Sequence, residues 1–434
     1  MIRHLPVLVS VVGLAAPGAA QRPQVQQAVE RITPRITEIR HHIHQYPELG
    51  NREFETARLV ARHLRELGLE VDTGIAHTGV VALLRGGRPG PVVAVRADMD
   101  ALPVTEDTPF PFKSTVRTTY LGQEVGVAHA CGHDIHVAVQ LGVATVLAGM
   151  RDEVPGTVKF IFQPAEEGPP PGEEGGAELM VEEGVLRNPA PQVIFGLHAK
   201  ASLAVGKIGY TEGAALAAVD HFRITIRGRQ AHGAAPHLAI DPIVTASQAV
   251  LALQTIRSRT LSPLEPSVVT VGIFRGGTRY NIIPGEVHLE GTVRTYATDV
   301  QDTVERRMRE ILDGITRAAG ATFELQYDRT TPPTINDVAL TRRMVPTLRR
   351  TVGAANVVEL DPWMAGEDFA YFANVVPGFY FMLGTLKPGT TSGDHHSPTF
   401  QADDAAIPVG IRAMTNVVLD YLSGATAAGA APSR

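Results

Sequence analysis

The sequence predicts an α/β protein, a mostly parallel sheet covered by helices and interrupted by a smaller inserted α+β unit. Three observations carry that prediction. Short apolar runs at 92–97, 158–162, 193–197 and 379–383 alternate with helical segments. The stretch from about 212 to 330 has a complete strand and helix order of its own. At 434 residues the chain also exceeds what one compact core usually serves, so two domains are expected.

The elements follow in order. Arg3 and His4 precede an apolar run over 5–16, and Gly18-Ala19-Ala20 ends in small residues before Gln21. This is the pattern of a secretory signal over 1–20, and it predicts a secreted or periplasmic protein. The run is shorter than the roughly 20 residues that a spanning helix needs. A helix is expected from 25 to 46 despite Pro34, with Pro47 closing it. The four apolar strands come next, with helices between several of them.

Within the insert, strands are expected at 220–227, 267–274, 286–295 and 322–327, and helices at 242–258 and 300–319. The order β-α-β-β-α-β is that of the ferredoxin-like unit. The insert is placed at 212–330, which leaves 21–211 and 331–424 for the domain bearing the chemistry. An Ala/Gly/Ser-rich tail follows Tyr421.

Composition narrows the function classes. A net charge of -6 provides no basic face for nucleic acid, and no charge block suggests a charged macromolecular partner. The one cysteine, Cys131, has no partner for an internal disulfide. A lone thiol in an exported protein is either buried and inert or held in use, and the neighbours of Cys131 favour use.

In open α/β sheets, ligands bind beyond the carboxyl ends of the strands. Chemistry-bearing residues collect there in this chain. Asp98 and Asp100 follow the strand at 92–97, and Glu166 and Glu167 follow the one at 158–162. His198 is expected to end the strand at 193–197, and Asp394-His395-His396 come after the strand at 379–383. The loop His129-Ala130-Cys131-Gly132-His133-Asp134 opens a helix. Thiolate, imidazole and carboxylate are the usual ligands of zinc, and Cys131 and His133 could face one metal cluster from a single tight turn. Adjacent Glu166 and Glu167 could divide two tasks, one ligating and the other taking a proton from water.

Each feature has a blander reading. Glu166-Glu167 alone would be a solvated turn. His136 is expected to pack or support rather than ligate. His41, His42 and His44 lie on a helix with no carboxylate or thiol beside them in sequence and are read as structural. His232 and His237 alone would be loop histidines. No G-x-S-x-G elbow, H-E-x-x-H helix, P-loop or G-x-G-x-x-G after a strand is present.

Taken together, the motifs resemble those of the M20 metallopeptidase family, in its aminoacylase, hippurate hydrolase and auxin-conjugate hydrolase branch. The matching segments are Tyr46-Pro47-Glu48-Leu49-Gly50, Arg96-Ala97-Asp98-Met99-Asp100-Ala101-Leu102-Pro103, the Cys131 loop and Phe162-Gln163-Pro164-Ala165-Glu166-Glu167-Gly168. Gly196-Leu197-His198, Asp241-Pro242-Ile243, Asn281-Ile282-Ile283-Pro284, Gly366-Glu367-Asp368-Phe369-Ala370 and His396-Ser397-Pro398 complete the set. They run in order over nearly the whole mature chain.

The resemblance implies two divalent ions per subunit, zinc or manganese, held by Cys131, His133, Glu167, His198 and His396, with the sulfur bridging. It implies Glu166 as general base and then acid, and Asp100 orienting a ligand histidine. His232 would help bind the carbonyl oxyanion, and Asn281 would contact substrate in a closed form. The insert would act as a lid and could mediate a homodimer.

The expected function is metal-activated hydrolysis of the amide bond of an N-acyl amino acid or similar small conjugate. Hydrolysis of short peptides is the alternative within the class. A non-catalytic small-molecule binding protein on the same fold is the alternative outside it, but such a protein has no need of Glu166. The chain departs from the family pattern at Ala199-Lys200-Ala201, where an aromatic or Asn and Pro are common. Other departures are His395, where Leu is usual, and Ile135, where Gly is common. These positions border the pocket and bear on substrate choice rather than on the reaction.

Overall fold

The structure is a computed structural model that describes residues 22–424, so the expected signal at 1–20 lies outside the described residues. Eight strands form the large sheet. Their order is Glu70–Ile75, Gly79–Arg85, Pro155–Gln163, Arg88–Asp98, Val193–Ala204, Gly378–Leu386, Ile208–Tyr210 and Val357–Glu359. The four central strands, from Pro155–Gln163 to Gly378–Leu386, run parallel. Antiparallel neighbours join them on either side.

Helices cover both faces, which is why the central strands read as uninterrupted apolar runs. Alternate residues divide between the faces, as the pleat requires. Val93, Val95, Phe195, Phe379 and Phe381 pack toward the helices Pro23–Gln45, His133–Gly149, Val338–Val352 and Ala406–Leu422. Ala94, Ile194, Tyr380 and Met382 pack toward the short helices Gly176–Glu182 and Phe369–Ala373. The helix His133–Gly149 is apolar nearly all round and is buried on every side over most of its length.

The first helix, Pro23–Gln45, continues through Pro34. Pro34 leaves the carbonyl of exposed Glu30 to water and costs about 3 kcal/mol. The buried stripe Val25, Val29, Ile36, Ile39 and Ile43 outweighs this, at roughly 1.5–3 kcal/mol per side chain.

The insert forms a separate four-stranded antiparallel sheet, ordered Ser267–Gly276, Glu286–Thr295, Ala218–Arg227 and Thr322–Thr331. Helices Pro242–Thr255 and Thr298–Ala319 cover one face. Phe222, Ile224 and Ile226 meet Ala249, Leu253, Met308 and Leu312 there. This is the ferredoxin-like topology. The first of these helices stops at Thr255, short of the expected 258, and its last turn loosens into a π-helical segment, Ile256–Thr260.

The chain leaves the large sheet for the insert through Gly213–Leu216 and returns through Thr334–Asn336. These two segments pair antiparallel with each other. Among the described residues, no helix is long and apolar enough to cross a membrane.

Candidate metal centre and active site

The carboxyl ends of the four parallel strands converge. Arg88–Asp98 delivers Asp98 and then Asp100, and Pro155–Gln163 delivers Glu166 and Glu167. His198 does not end its strand as the sequence suggested. The strand continues to Ala204, paired along Gly378–Leu386, so His198 stands inside the ladder. Lys200 and exposed Ser202 broke the apolar run and hid the continuation.

Gly132 turns the Cys131 loop. Its φ of +95° suits glycine, and a Cβ there would sit 2.7 Å from that of Ala199. The turn lets Cys131 and His133 enter the same space. Two further left-handed residues flank the site, Ala165 at φ +50° and His396 at φ +66°. Such backbone is costly for residues with a Cβ and concentrates at functional sites.

The side chains form two groups around one sulfur. Cys131 Sγ lies 3.5 Å from His198 Nε2 and 3.6 Å from His395 Nδ1. Cys131 also groups with Glu167 and His396, whose Oε1 and Nε2 are 3.1 Å apart. His133 Nε2 completes this side, 3.8 Å from Glu166 Oε2 and 3.9 Å from Glu167 Oε1. The arrangement suits two cations sharing Cys131.

The fit can be tested on single atoms. His133 Nε2 is buried with no hydrogen-bond partner. Its Nδ1 donates to the Asp100 carbonyl oxygen at 2.8 Å, which can only accept, so in the neutral ring the lone pair sits on Nε2, facing the cluster. Burial lowers the pKa of this ring, but Asp98, Asp100 and Glu167 outweigh it and raise the value to about 10, so a cation would have to displace the Nε2 proton. His198 is fixed the same way, Nδ1 donating to the Ala199 carbonyl at 2.6 Å. Burial, then the carboxylates of Glu167 and Glu166, push the Cys131 thiol well above its ordinary range. Burial, then Glu367 and Glu167, push up the Glu166 carboxyl. Buried acids crowded in this way call for bound positive charge, and a cation would turn the thiol into thiolate.

Comparison with known proteins agrees with this geometry. The model for peptidase family M20/M25/M40 matches residues 94–420.

The chain belongs to the M20/M25/M40 peptidase family.

It is 39% identical over 371 residues to the N-acetyl-L-cysteine deacetylase of Bacillus subtilis (strain 168), covering 85% of this chain and 84% of that one. To thermostable carboxypeptidase 1 of Saccharolobus solfataricus it is 38% identical over 391 residues, 89% of this chain and 95% of that one. The Bacillus subtilis YXEP protein, described as a dinuclear metal-binding peptidase of the M20 family, superposes with a TM-score of 0.76 at 34% identity. That match covers 91% of this chain and 99% of the other.

Around the cluster of this M20 hydrolase lies a polar frame, of which the sequence pointed to Asp100 and His136 but not to the rest. Asp100 accepts from His133 and, through Oδ2, from the Glu167 amide at 2.9 Å, so one carboxylate orients both. Asp98 holds His136 Nδ1, while His136 Nε2 accepts from the Ala199 amide at 2.7 Å. Both nitrogens of His136 are thus engaged in support. Buried Arg96 donates to Gln163 Oε1 and Asp98 Oδ2, both at 2.7 Å, and pairs with Glu367 and Asp368 at 3.0 Å. Glu367 and Asp368 in turn group with Glu166. Charged Arg96 and Asp98 inside an apolar strand were a signal that could have been used.

Glu53 gave no such signal. It accepts the Ala165 amide at 2.8 Å, pinning the left-handed residue before Glu166. Burial, and then Asp100, push its carboxyl up to about 8.

The helix histidines are structural, as expected, but not for want of acidic neighbours. Carboxylates do stand beside them, brought from distant sequence. His44 bridges Asp134 at 2.9 Å and Glu106 at 3.0 Å, and His41 meets Asp404 at 2.7 Å. Burial alone would lower the pKa of His44, but Asp134 and Glu106 hold it above the ordinary range. The group is a buried ion network with Arg40, which pairs with Asp134 and Asp404.

His232 and Asn281 are brought to each other but not to the cluster. They adjoin on a two-stranded ribbon of the insert, and the Gly233 amide donates to the Asn281 carbonyl at 2.9 Å. His232 is exposed, and neither residue lines the cavity over Cys131.

That cavity, about 990 Å³, runs from Glu166, Glu167, His198 and His396 to Arg294 and Arg329 of the insert. Arg329 is paired with Asp302 and Glu305. Among the described residues, half-buried Arg294 makes no ion pair; burial lowers its pKa, partly offset by Asp220. Trp363 also lines the cavity, and Lys200 Nζ lies 3.4 Å from the centre of its ring.

Proposed function

We propose that this chain hydrolyses the amide bond of N-acyl amino acids with two divalent ions, zinc or manganese, held by Cys131, His133, Glu167, His198 and His396. The observation that carries the reading is the sharing of Cys131 by two ligand groups, with Glu166 beside one of them. Bound there, divalent ions lower the pKa of water and polarise a carbonyl oxygen. Glu166 takes the proton from the attacking water and returns it to the leaving amine. Asp100 keeps His133 and Glu167 in place throughout. Arg294, which makes no ion pair among the described residues, suits the free carboxylate of an N-acyl amino acid.

The similarity to a carboxypeptidase favours short peptides as the second reading. The test is turnover of a panel of N-acyl amino acids and dipeptides by purified protein, with and without chelator. The expected result is chelator-sensitive hydrolysis, with higher kcat/KM for the acyl amino acids. Higher values for dipeptides would favour the second reading, and no turnover with metal bound would leave a binding protein.

A homodimer through the insert suits this surface. Strand Ser267–Gly276 is a sheet edge with Phe274 exposed, and Val244 and Leu251 stand exposed on the neighbouring helix. In this arrangement His232 reaches an oxyanion when the insert closes or when the partner supplies it. A donor so placed is worth roughly 3–4 kcal/mol in the transition state. His232→Ala should lower kcat about a hundredfold with metal content unchanged. Mixing it with Glu166→Gln should restore part of the activity if the donor crosses between subunits. Wild-type turnover by His232→Ala would remove it from the mechanism.

The leader supports export to the periplasm or medium, with cleavage before Gln21. N-terminal sequencing of protein recovered outside the cytoplasm should start at Gln21, whereas active cytosolic protein retaining Met1 would count against export.

A further inference from the structure

We infer that His395 donates a hydrogen bond from Nδ1 to the thiolate of Cys131, and so sets how much charge the shared sulfur passes to its ions. The inference rests on the metal reading proposed above and adds a residue that this reading does not use.

Two histidines adjacent in sequence divide around the sulfur. His396, in its left-handed conformation, turns toward Glu167. His395 turns the other way and places Nδ1 3.6 Å from Cys131 Sγ, a normal separation for an N–H donor to sulfur. Its ring is held among His198, Trp363 and Phe400, with centroids 5.3, 5.3 and 4.9 Å away.

The far nitrogen decides the role. The Ala201 amide lies 3.4 Å from His395 Nε2 and points its N–H at it. A backbone N–H can only donate, so Nε2 is the acceptor and the single proton of neutral imidazole sits on Nδ1. That proton faces the sulfur. For Nδ1 to ligate a metal instead, the proton would have to move to Nε2, where it would meet the Ala201 N–H donor to donor.

His133 and His198 show the opposite arrangement. Their Nδ1 protons go to backbone carbonyls, and their Nε2 lone pairs face the cluster. Proximity to Cys131 therefore places His395 in the same group as His198, yet its hydrogen bonding marks it as a donor. It is a positioning residue. A hydrogen bond to a metal-bound thiolate draws charge off the sulfur and lowers its lone-pair energy.

The test uses the mature protein loaded with cobalt(II), whose sulfur-to-metal charge-transfer band reports the electron richness of the sulfur. Two variants are compared, His395→Leu, which removes the donor, and His395→Asn, whose amide N–H can occupy the place of Nδ1. Leu should keep the wild-type cobalt stoichiometry and the wild-type number of nitrogen ligands by X-ray absorption. Its band should move to lower energy, and Asn should bring the band back toward the wild-type position. Loss of a cobalt ion or of a nitrogen ligand in His395→Leu would make His395 a ligand and overturn the inference. An unmoved band would overturn it too. A wild-type protein that binds cobalt with no sulfur charge-transfer band would overturn the metal role of Cys131 itself, a failure distinguishable from the other two.

Discussion

Glu166→Gln should retain both metal ions and lose turnover by about 10⁴-fold, near the upper end of what general acid–base catalysis contributes. Gln keeps the size of the side chain and can still hydrogen-bond, but it cannot take the proton from water or return it to the amine. The carboxylates grouped closest to it are already engaged. Glu167 faces His396 and His133, and Glu367 and Asp368 are committed to Arg96. Glu167→Gln should behave differently and lose metal first, because its Oε1 belongs to the group around Cys131. Metal analysis alongside single-turnover rates separates the two variants. Equal metal loss in both would contradict the division of labour between the paired glutamates.

Cys131→Ser should give a folded protein that has lost metal and nearly all activity. The sulfur belongs to both ligand groups, so its removal weakens two sites at once. A serine hydroxyl at that depth, beside Glu166 and Glu167, has even less reason to ionise than the thiol, whose own pKa burial and those carboxylates already raise. Removing a mere supporting hydrogen bond at a metal site costs 10–100-fold in affinity or activity. Loss of the shared ligand should exceed about 100-fold. Helical content by circular dichroism should match the wild type, since the loop is fixed by Gly132 and by the buried helix that follows it. Full metal content with normal turnover would remove Cys131 from the centre.

What could be read from the sequence was whatever depends on local pattern. The central strands announced themselves because helices on both faces make them apolar throughout. The ferredoxin-like order of the insert was legible because each of its elements has one buried face and a clear period. The residues at the strand ends could be named because the α/β architecture places strand ends on one edge.

Contacts between distant segments were not legible. Glu53 and Ala165 are 112 positions apart, and nothing near Glu53 hints at its contact with the loop before Glu166. His44 seemed to lack acidic neighbours because they come from 62 and 90 residues away. His198 seemed to close its strand because small and polar residues follow it. The unusual His395 was visible in sequence, but its role depends on a backbone amide at Ala201 that only the folded ladder brings within reach.

The insert hangs from the large sheet by two strands that are hydrogen-bonded to each other. Gly213 faces Asn336 where the chain departs and returns, so the gap between exit and re-entry is one strand spacing wide, about 4.8 Å. Topologically the whole lobe is an elaborated hairpin loop. A tight two-residue turn could close the same gap, which makes the insert removable without rethreading the sheet beneath it. The pairing also limits how the lobe can travel. Two independent tethers would permit twisting and sliding, whereas a single ribbon resists in-plane shear and yields mainly to bending across its plane. Any swing of the insert toward the cavity is therefore expected to follow one arc, set by the ribbon, that carries Arg294 and the His232–Asn281 ribbon together as one body.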